Sequence, residues 1–275
     1  MTSNDGSVFR LNDAGFSYFA DAPALKGVSF EIQRGERVCI LGANGCGKST
    51  LLKILAGLLA PQTGSFSAFG KPVAHGQMES DTFAGEYHRK VGFIFQSADV
   101  QLFCGSVRDE IAFGLLQQNL PDSTVRSRTE DVMRMLGIEA LAGKTPFRLS
   151  GGEKKKVALA AVLAMNPEVL ILDEPTNGLD PRTQSWLVRL LDALHEAGKT
   201  IVASTHNLEL VERISDRSIL FSEEHTVAAD RTTSALLRDL PLLQSVNLID
   251  DTPAFDSAGI PWYNQGRRSD NDDRR

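Results

Sequence analysis

The chain has 275 residues, of which 42% are hydrophobic, and a formal net charge of −6. This length and composition are typical of a soluble globular protein that buries a large core without disulfides or metals. An acidic chain offers no overall basic surface, so we expect no nucleic acid partner. The three cysteines are scattered without metal-like pairing, which favours a reducing, cytosolic compartment.

No segment has the pattern of a signal peptide or of a membrane span. The N-terminus is polar, and the longest unbroken apolar run is Val157–Met165. That run is much shorter than the about 20 residues that a membrane-spanning helix needs. Any work at a membrane is therefore expected to depend on a partner that spans it.

Strand and helix signals alternate along the first half of the chain. Alternating apolar residues predict a half-buried strand at Val28–Ile32, and a short apolar run predicts a buried strand at Val38–Leu41. Helical spacing follows from Lys48 to Ala56, and Gly57 is expected to stop that helix. Val91–Phe95 predicts another buried strand.

Helices dominate the next stretch. Ser106 is predicted to cap a short helix, with Glu110 near the capping-box position. Further helices are predicted from Pro121 to Gly137 and from Ser150 to about Met165. The remaining elements are a strand at Val169–Leu172, a helix from Asp180 to Gly198 and a strand at Thr200–Ser204.

This order of elements predicts an α/β fold with a mostly parallel sheet core. We expect the main domain to cover residues 1–231, with an inserted helical subdomain at 98–149 followed by the helix at 150–165. Residues 232–249 are predicted to form a short helical extension. Residues 250–275, rich in Asp, Arg, Ser, Gly and Pro, are predicted to be a mobile tail.

A glycine-rich loop lies between the strand at Val38–Leu41 and the helix that follows. Its spacing, Gly42-x-x-x-x-Gly47-Lys48-Ser49, is typical of a phosphate-binding loop, although a glycine-rich turn is the alternative. Glycines let successive amides point at phosphate oxygens, and the helix start adds positive charge. We expect Lys48 to neutralise the β- and γ-phosphates and Ser49 to bind Mg²⁺. The expected ATP-binding residues are Gly42, Ala43, Asn44, Gly45, Cys46, Gly47, Lys48, Ser49 and Thr50.

Two carboxylates follow the apolar strand Val169–Leu172. A carboxylate at the end of a buried strand beside a phosphate loop is where a Mg²⁺ ligand is needed, so Asp173 is assigned to Mg²⁺ through water. Glu174 is then placed to accept a proton from the attacking water. The alternative is an ordinary strand end with solvated acids.

The segment Leu149-Ser150-Gly151-Gly152-Glu153 resembles the signature LSGGQ of ATP-binding cassette (ABC) proteins, with Glu153 in the last place. The resemblance implies a phosphate-loop nucleoside triphosphatase of the ABC type. It also implies that Ser150, Gly151 and Gly152 bind the γ-phosphate of ATP held by another subunit, in a head-to-tail dimer that encloses two ATP molecules.

Other positions match the ABC family singly. The resemblance assigns Tyr18 to stacking on adenine, Gln96 to sensing Mg²⁺ and the attacking water, and His206 to contacting the γ-phosphate. Gly178, Leu179 and Asp180 match the loop that crosses to the partner subunit. Four histidines match no family position and are predicted to be surface residues: His75, His88, His195 and His225.

The segment Phe95–Phe103 resembles ATPases of energy-coupling factor (ECF) importers and of the related cobalt and nickel importers, although Ala98 stands where that branch usually has proline. The resemblance implies that this segment docks onto an integral membrane subunit. The residues assigned to docking are Asp99, Gln101, Leu102 and Phe103.

The resemblance therefore implies a motor subunit at the cytoplasmic face of the cell membrane, with ATP and Mg²⁺ as cofactors. Its partners would be a second ATPase chain, either a copy or a close paralogue, and membrane subunits. Cobalt or nickel is the expected solute, and a water-soluble vitamin is the second choice. The alternatives are the ATPase of another ABC importer or exporter, a soluble ABC ATPase acting on DNA or ribosomes, and a binding module without turnover.

Overall fold

A computed structural model of the chain describes residues 6–74 and 76–249. The predicted tail at 250–275 and His75 lie outside the described residues. Along the described part the chain forms β1 (Ser7–Phe19), β2 (Ala22–Gln33), β3 (Arg37–Leu41), α1 (Lys48–Leu55), β4 (Thr63–Ala68), β5 (Lys71–Pro72), α2 (Asp81–Lys90), β6 (Val91–Ile94), α3 (Val107–Leu116), α4 (Asp122–Leu136), α5 (Gly151–Leu163), β7 (Val169–Leu172), α6 (Pro181–Glu196), β8 (Thr200–Ser204), α7 (Leu208–Ile214), β9 (Arg217–Phe221), β10 (Val227–Thr232), α8 (Thr233–Leu237) and α9 (Leu240–Ser245).

A six-stranded sheet forms the core, in the order β10-β9-β3-β8-β7-β6. All neighbouring pairs are parallel except β10 and β9, so the predicted mostly parallel sheet is confirmed. The short strands β3, β7 and β8 are buried almost throughout, which explains why their sequences are largely apolar. Because the strands are parallel, the segments after β3, β6, β7, β8 and β9 meet at one edge.

A second, antiparallel sheet has the order β2-β1-β4-β5. The sequence predicted only part of β2 in it. The strand β1 was missed because Asn12 to Gly15 interrupt its alternation, and the pairing with β2 shifts register between Leu11 and Ala14. Phenylalanines and aliphatic residues of this sheet pack with α1 against one face of the six-stranded sheet.

Residues 98–149 contain α3, α4 and three short 3₁₀ turns, and no strand. They pack on α5 through buried side chains that include Ile111, Leu115 and Val157. Ser106 caps α3 as predicted, accepting a hydrogen bond from the Asp109 amide. The capping-box assignment of Glu110 was wrong, because its buried carboxylate accepts hydrogen bonds from the amides of Phe103 and Cys104.

Local signals set the ends of several helices. Gly137 ends α4 in the left-handed conformation, and Asp180 caps α6 with Pro181 in the first position. The short helices α8 and α9 bury Leu236 and Leu243 against β9 and α7. Among the helices of residues 6–74 and 76–249, none combines the length and the hydropathy that a membrane crossing requires.

Candidate active site

A pocket of about 500 Å³ opens at the edge where the parallel strands end. The segments after β3, β6, β7, β8 and β9 all contribute to its wall, and the antiparallel sheet closes one side. The residues that line it are Tyr18, Pro23, Ala24, Asn44, Gly45, Gly47, Lys48, Ser49, Thr50, Gln96, Glu174, Asn177, His206 and His225. The fold thus brings together residues that are as far apart in the chain as Tyr18 and His225.

The phosphate loop curls around the ammonium group of Lys48. Lys48 is buried, and its Nζ donates hydrogen bonds to the carbonyl oxygens of Gly42 at 2.8 Å and Ala43 at 3.0 Å. Gly47 has φ of 110°, and a Cβ there would overlap the Ala24 carbonyl oxygen, so this position requires glycine. The loop therefore holds a fixed positive charge next to the start of α1, as phosphate binding requires.

Cys46 contributes to the loop through its backbone. Its side chain is buried under the loop and does not line the pocket. Burial raises the pKa of the Cys46 thiol, and the charge of Lys48 opposes this shift. The thiol is therefore protonated at neutral pH and unsuited to nucleophilic chemistry.

The two acids after β7 lie behind and beside the pocket. Asp173 and Glu174 are both buried, and Glu174 also lines the pocket wall. Glu174 has φ of 42°, a left-handed conformation that is uncommon for a residue with a side chain. Strained backbone of this kind persists where surrounding contacts fix it, and it is enriched at functional sites.

His206 contacts the Glu174 carboxylate directly. Its Nδ1 lies 3.0 Å from Glu174 Oε1, and its side chain is about half exposed to the pocket mouth. An ionised carboxylate only accepts hydrogen bonds, so Nδ1 carries the proton in this contact. The pair leaves the second carboxylate oxygen of Glu174 to meet a water molecule.

The opposite end of the pocket is aromatic. Tyr18 is about half exposed and packs edge-to-face on Phe16, with ring centroids 5.0 Å apart. Its hydroxyl lies 3.4 Å from Thr50 Oγ1 at the start of α1. An exposed ring anchored beside the phosphate loop is suited to stack on a nucleotide base.

His225 also lines the pocket and is partly exposed, although no family position assigned it to this site. It lies in the turn between β9 and β10, its φ is 67°, and its carbonyl accepts a hydrogen bond from the Lys26 amide at 2.9 Å. No local signal in the sequence indicated this residue, because the pattern of strand and helix signals weakens after Ser222. His88 and His195 are partly buried and lie away from the pocket.

Lys155 is a further residue that the sequence did not single out. A run of three lysines at 154–156 is typical of a solvated helix face, yet Lys155 is buried. Its Nζ donates to the carbonyl oxygens of Phe95 at 3.1 Å and Gln96 at 3.0 Å. Helix α5 thus holds the backbone that presents Gln96 to the pocket. Helical spacing was the available signal, since Lys155 lies one turn before the buried Leu159.

This burial lowers the pKa of Lys155 to about 8 from 10.5, and Asp173 opposes the shift. Between those two pH values the unfolded chain binds a proton that the folded chain lacks, so stability should rise with pH. As the pH rises across this window, the free energy of unfolding of the native chain should increase by up to about 3 kcal/mol relative to that of the Lys155→Met variant. Denaturant titrations at pH 7 to 10 measure it. Lys144→Met removes an exposed lysine and should give no such slope.

The residues assigned to the partner subunit do not reach this pocket. Ser150, Gly151, Gly178, Leu179 and Asp180 are absent from its wall. Ser150 caps α5 in a capping box, in which the Glu153 carboxylate accepts hydrogen bonds from the Ser150 amide and hydroxyl, both at 2.8 Å.

The start of α5 lies next to the start of α6. A Cβ on Gly152 would lie 3.2 Å from Thr183 Oγ1, and the Thr183 hydroxyl donates to Asp180 at 2.6 Å. The signature segment and residues 178–180 thus lie side by side on a surface outside the pocket. The phosphate loop and the Ser150–Gly152 segment of one chain therefore do not share a pocket.

Comparison with known proteins supports this assignment. The family described as ABC transporter matches residues 25–177. A putative ABC transporter ATP-binding protein of Methanosarcina acetivorans is 46% identical over 249 residues, which cover 90% of each chain. The nickel import ATP-binding protein NikO of Rhodobacter capsulatus is 44% identical over 90% of this chain and 97% of its own. An energy-coupling factor transporter ATP-binding protein of Methanothermobacter thermautotrophicus is 37% identical over 88% and 76%.

Solved structures have the same fold. CbiO1 of Clostridium perfringens, described as part of the ABC transporter complex CbiONQ, has a TM-score of 0.76 and 35% identity over 89% of this chain and 96% of its own. A dimeric ATP-binding cassette in a post-hydrolysis state, bound to ADP and Pi, has a TM-score of 0.74 and 28% identity over 82% and 98%.

Proposed function

Because the chain belongs to the ABC transporter family, whose ATP-binding subunits hydrolyse ATP, we propose that it is the motor subunit of an energy-coupling factor importer. We propose nickel or cobalt ions as the solute. The likeness to a nickel import protein supports this choice over a vitamin. The chain would act as a peripheral subunit at the cytoplasmic face of the membrane.

One structural observation carries the head-to-tail dimer in this proposal. The phosphate loop, Gln96, Glu174 and His206 share one pocket, but Ser150 and Gly151 face outward elsewhere on the same chain. A second copy, or a close paralogue, turned head to tail would bring its own Ser150 to the γ-phosphate. The solved structure of a related cassette is dimeric, which supports a dimer here.

We assign Mg²⁺ to the oxygen atoms of Ser49, Gln96 and Asp173. Hydroxyl, amide and carboxylate oxygens suit this hard cation, and Ser49 and Gln96 line the pocket beside the buried acid. When bound, Mg²⁺ would neutralise charge that develops on the β- and γ-phosphate oxygens.

In the proposed reaction, the loop amides and Lys48 hold the triphosphate and stabilise its negative charge. Glu174 holds the attacking water and takes its proton, while His206 keeps the carboxylate oriented at 3.0 Å. Gln96, held by Lys155, connects the pocket to residues 98–149. The motion of the dimer as it closes and reopens would be transmitted through this segment to a membrane subunit.

We propose that docking centres on Phe103, one of the four residues assigned from the sequence. Leu102 is buried, Gln101 accepts a hydrogen bond from the Phe95 amide at 3.2 Å, and Asp99 pairs with Lys154 at 2.6 Å. Phe103 is exposed and packs edge-to-face on the partly exposed Phe113 at 4.9 Å. An exposed aromatic pair with the neighbouring Val100 marks an interaction surface, so we propose that the membrane subunit docks here.

Phe103→Asp should abolish co-purification with the membrane subunits and leave ATP hydrolysis by the isolated chain unchanged, because Phe103 lies outside the ATP pocket. Loss of an aromatic anchor from an interface costs at least about 2 kcal/mol, or roughly 30-fold in affinity. Affinity capture from detergent-solubilised membranes measures it. Met135→Asp changes an equally apolar, exposed position on α4 and should retain the complex. Retention of the complex by Phe103→Asp would place the docking surface elsewhere.

Uptake measurements test the function itself. A strain that lacks this chain should lose accumulation of radioactive nickel or cobalt, and the native chain, but not Glu174→Gln, should restore it. Loss of vitamin uptake with normal metal uptake would move the solute to the vitamin class. Co-purification with no integral membrane protein would favour a soluble ABC ATPase.

A further inference from the structure

We propose that Ser204 is a positioning residue for ATP hydrolysis, whose hydroxyl sets the Asp173 carboxylate and the Glu174 backbone in one hydrogen-bonded unit. Ser204 is the last residue of β8 and is completely buried. Its hydroxyl donates to Asp173 Oδ1 at 2.6 Å and accepts from the Glu174 amide at 3.0 Å. This side chain does not line the pocket, and it acts through the two acids.

The strand register explains why this one side chain reaches both acids. In the parallel pair of β7 and β8, Leu172 lies opposite Ala203, so Ser204 lies beside the point where β7 ends. On its other side β8 pairs with β3, where Ser204 lies opposite Ile40, two residues before the phosphate loop. Ser204 thus occupies the junction of the strand that carries the loop and the strand that carries the acids.

The hydroxyl can donate one hydrogen bond, and it donates that bond to the Asp173 carboxylate. The short distance is typical of a hydroxyl bonded to a charged carboxylate, which is stronger than a neutral pair. The contact fixes the rotation of the Asp173 carboxylate. A Mg²⁺ ligand that is oriented in advance binds its ion more tightly, so Ser204 has the role of an outer-shell partner.

Glu174 is held from two sides by one short segment. The Ser204 hydroxyl accepts from its amide in the left-handed conformation, and His206, two residues later, contacts its carboxylate. A buried amide without a partner costs free energy, so loss of the hydroxyl would release the conformation that aims Glu174. The same serine therefore affects both the Mg²⁺ ligand and the general base.

The test compares three variants. Ser204→Ala removes the hydroxyl, and Ser204→Cys nearly keeps the volume but offers only a weak donor. Ser218→Ala is the matched control: Ser218 is also completely buried, on strand β9 of the same sheet, and its hydroxyl pairs with Thr233 at 2.8 Å, away from the acids. Melting temperatures should fall for both alanine variants.

The readout is the affinity for a fluorescent ATP analogue, measured in EDTA and then across a Mg²⁺ titration, beside the turnover number. For Ser204→Ala we expect unchanged affinity in EDTA, a Mg²⁺ requirement raised about 10-fold and turnover lowered about 10- to 100-fold. Ser204→Cys should show intermediate losses and remains decisive if the alanine variant does not fold. Ser218→Ala should match the native chain in both measurements.

Native Mg²⁺ dependence and turnover in Ser204→Ala or Ser204→Cys would overturn the proposal. An equal loss of affinity with and without Mg²⁺ would also overturn it, since that outcome indicates general damage to the pocket. The inference rests on the proposed Mg²⁺ site. If the nucleotide affinity of the native chain did not depend on Mg²⁺, the proposed Mg²⁺ site would be wrong, and this result would be known before the variants are compared.

Discussion

Glu174→Gln should bind ATP with native affinity and turn it over about 10³-fold more slowly, as expected when a general base is removed. Glutamine keeps the size of the side chain, and its amide oxygen can still accept from His206 Nδ1, so the pocket should retain its shape. It cannot take a proton from the attacking water. The turnover number is measured from the rate of phosphate release, and the affinity for ATP is measured by fluorescence titration.

Glu168→Gln is the matched control, because Glu168 directly precedes β7 and Glu174 is the second residue after it. Glu168 pairs with Lys90 and Arg34 at the opposite end of the strand, far from the pocket wall. The control should lose a little stability and no turnover. Native turnover in Glu174→Gln would remove Glu174 from the role of base.

Sequence predicted this site well where short, local signals create it. The strands β3, β6, β7 and β8 lie within one residue of their predicted bounds, because each is an apolar run ended by polar or glycine residues. Parallel pairing then forces the loop at 42–50 and the acids at 173–174 to the same edge. A few local patterns and one rule of sheet geometry therefore position most of the pocket.

What the sequence could not predict depends on contacts between distant residues. Ser204 contacts Asp173 across 31 positions, and Lys155 contacts Gln96 across 59. A serine that ends a strand and a lysine in a basic run both have ordinary solvated interpretations, and only packing distinguishes them. His225 reaches the pocket because β9 lies parallel to β3, a pairing that no local pattern announces.

The signature segment at residues 149–153 lies outside the pocket of its own chain, so its role in ATP hydrolysis has to be tested with two chains. Ser150 bonds to Glu153 within its own helix, and it lies outside the pocket wall. If each ATP needs the phosphate loop of one chain and Ser150 of the other, two different inactive chains should complement each other. Lys48→Ala destroys the loop half of a site, and Ser150→Phe blocks the signature half.

Each variant alone should hydrolyse ATP at least about 100-fold more slowly than the native chain, since each lacks an essential charge-stabilising element at both sites. Mixed in equal amounts, half of the dimers should contain both variants. Each mixed dimer has one intact site, formed by Lys48 of one chain and Ser150 of the other. The mixture should therefore recover about one quarter of native turnover, as two-fold symmetry of the dimer requires.

The control is a mixture of Lys48→Ala and Glu174→Gln. It distinguishes variants that damage opposite halves of a site from variants that damage the same half. Both changes fall in the same half of a site, because Lys48 and Glu174 line one pocket of one chain. Every mixed dimer then has two damaged sites, and no activity should return. Dilution of the native chain below its dimer affinity should likewise lower turnover per chain. A mixture of Lys48→Ala and Ser150→Phe that stays as inactive as its parts would contradict the head-to-tail dimer.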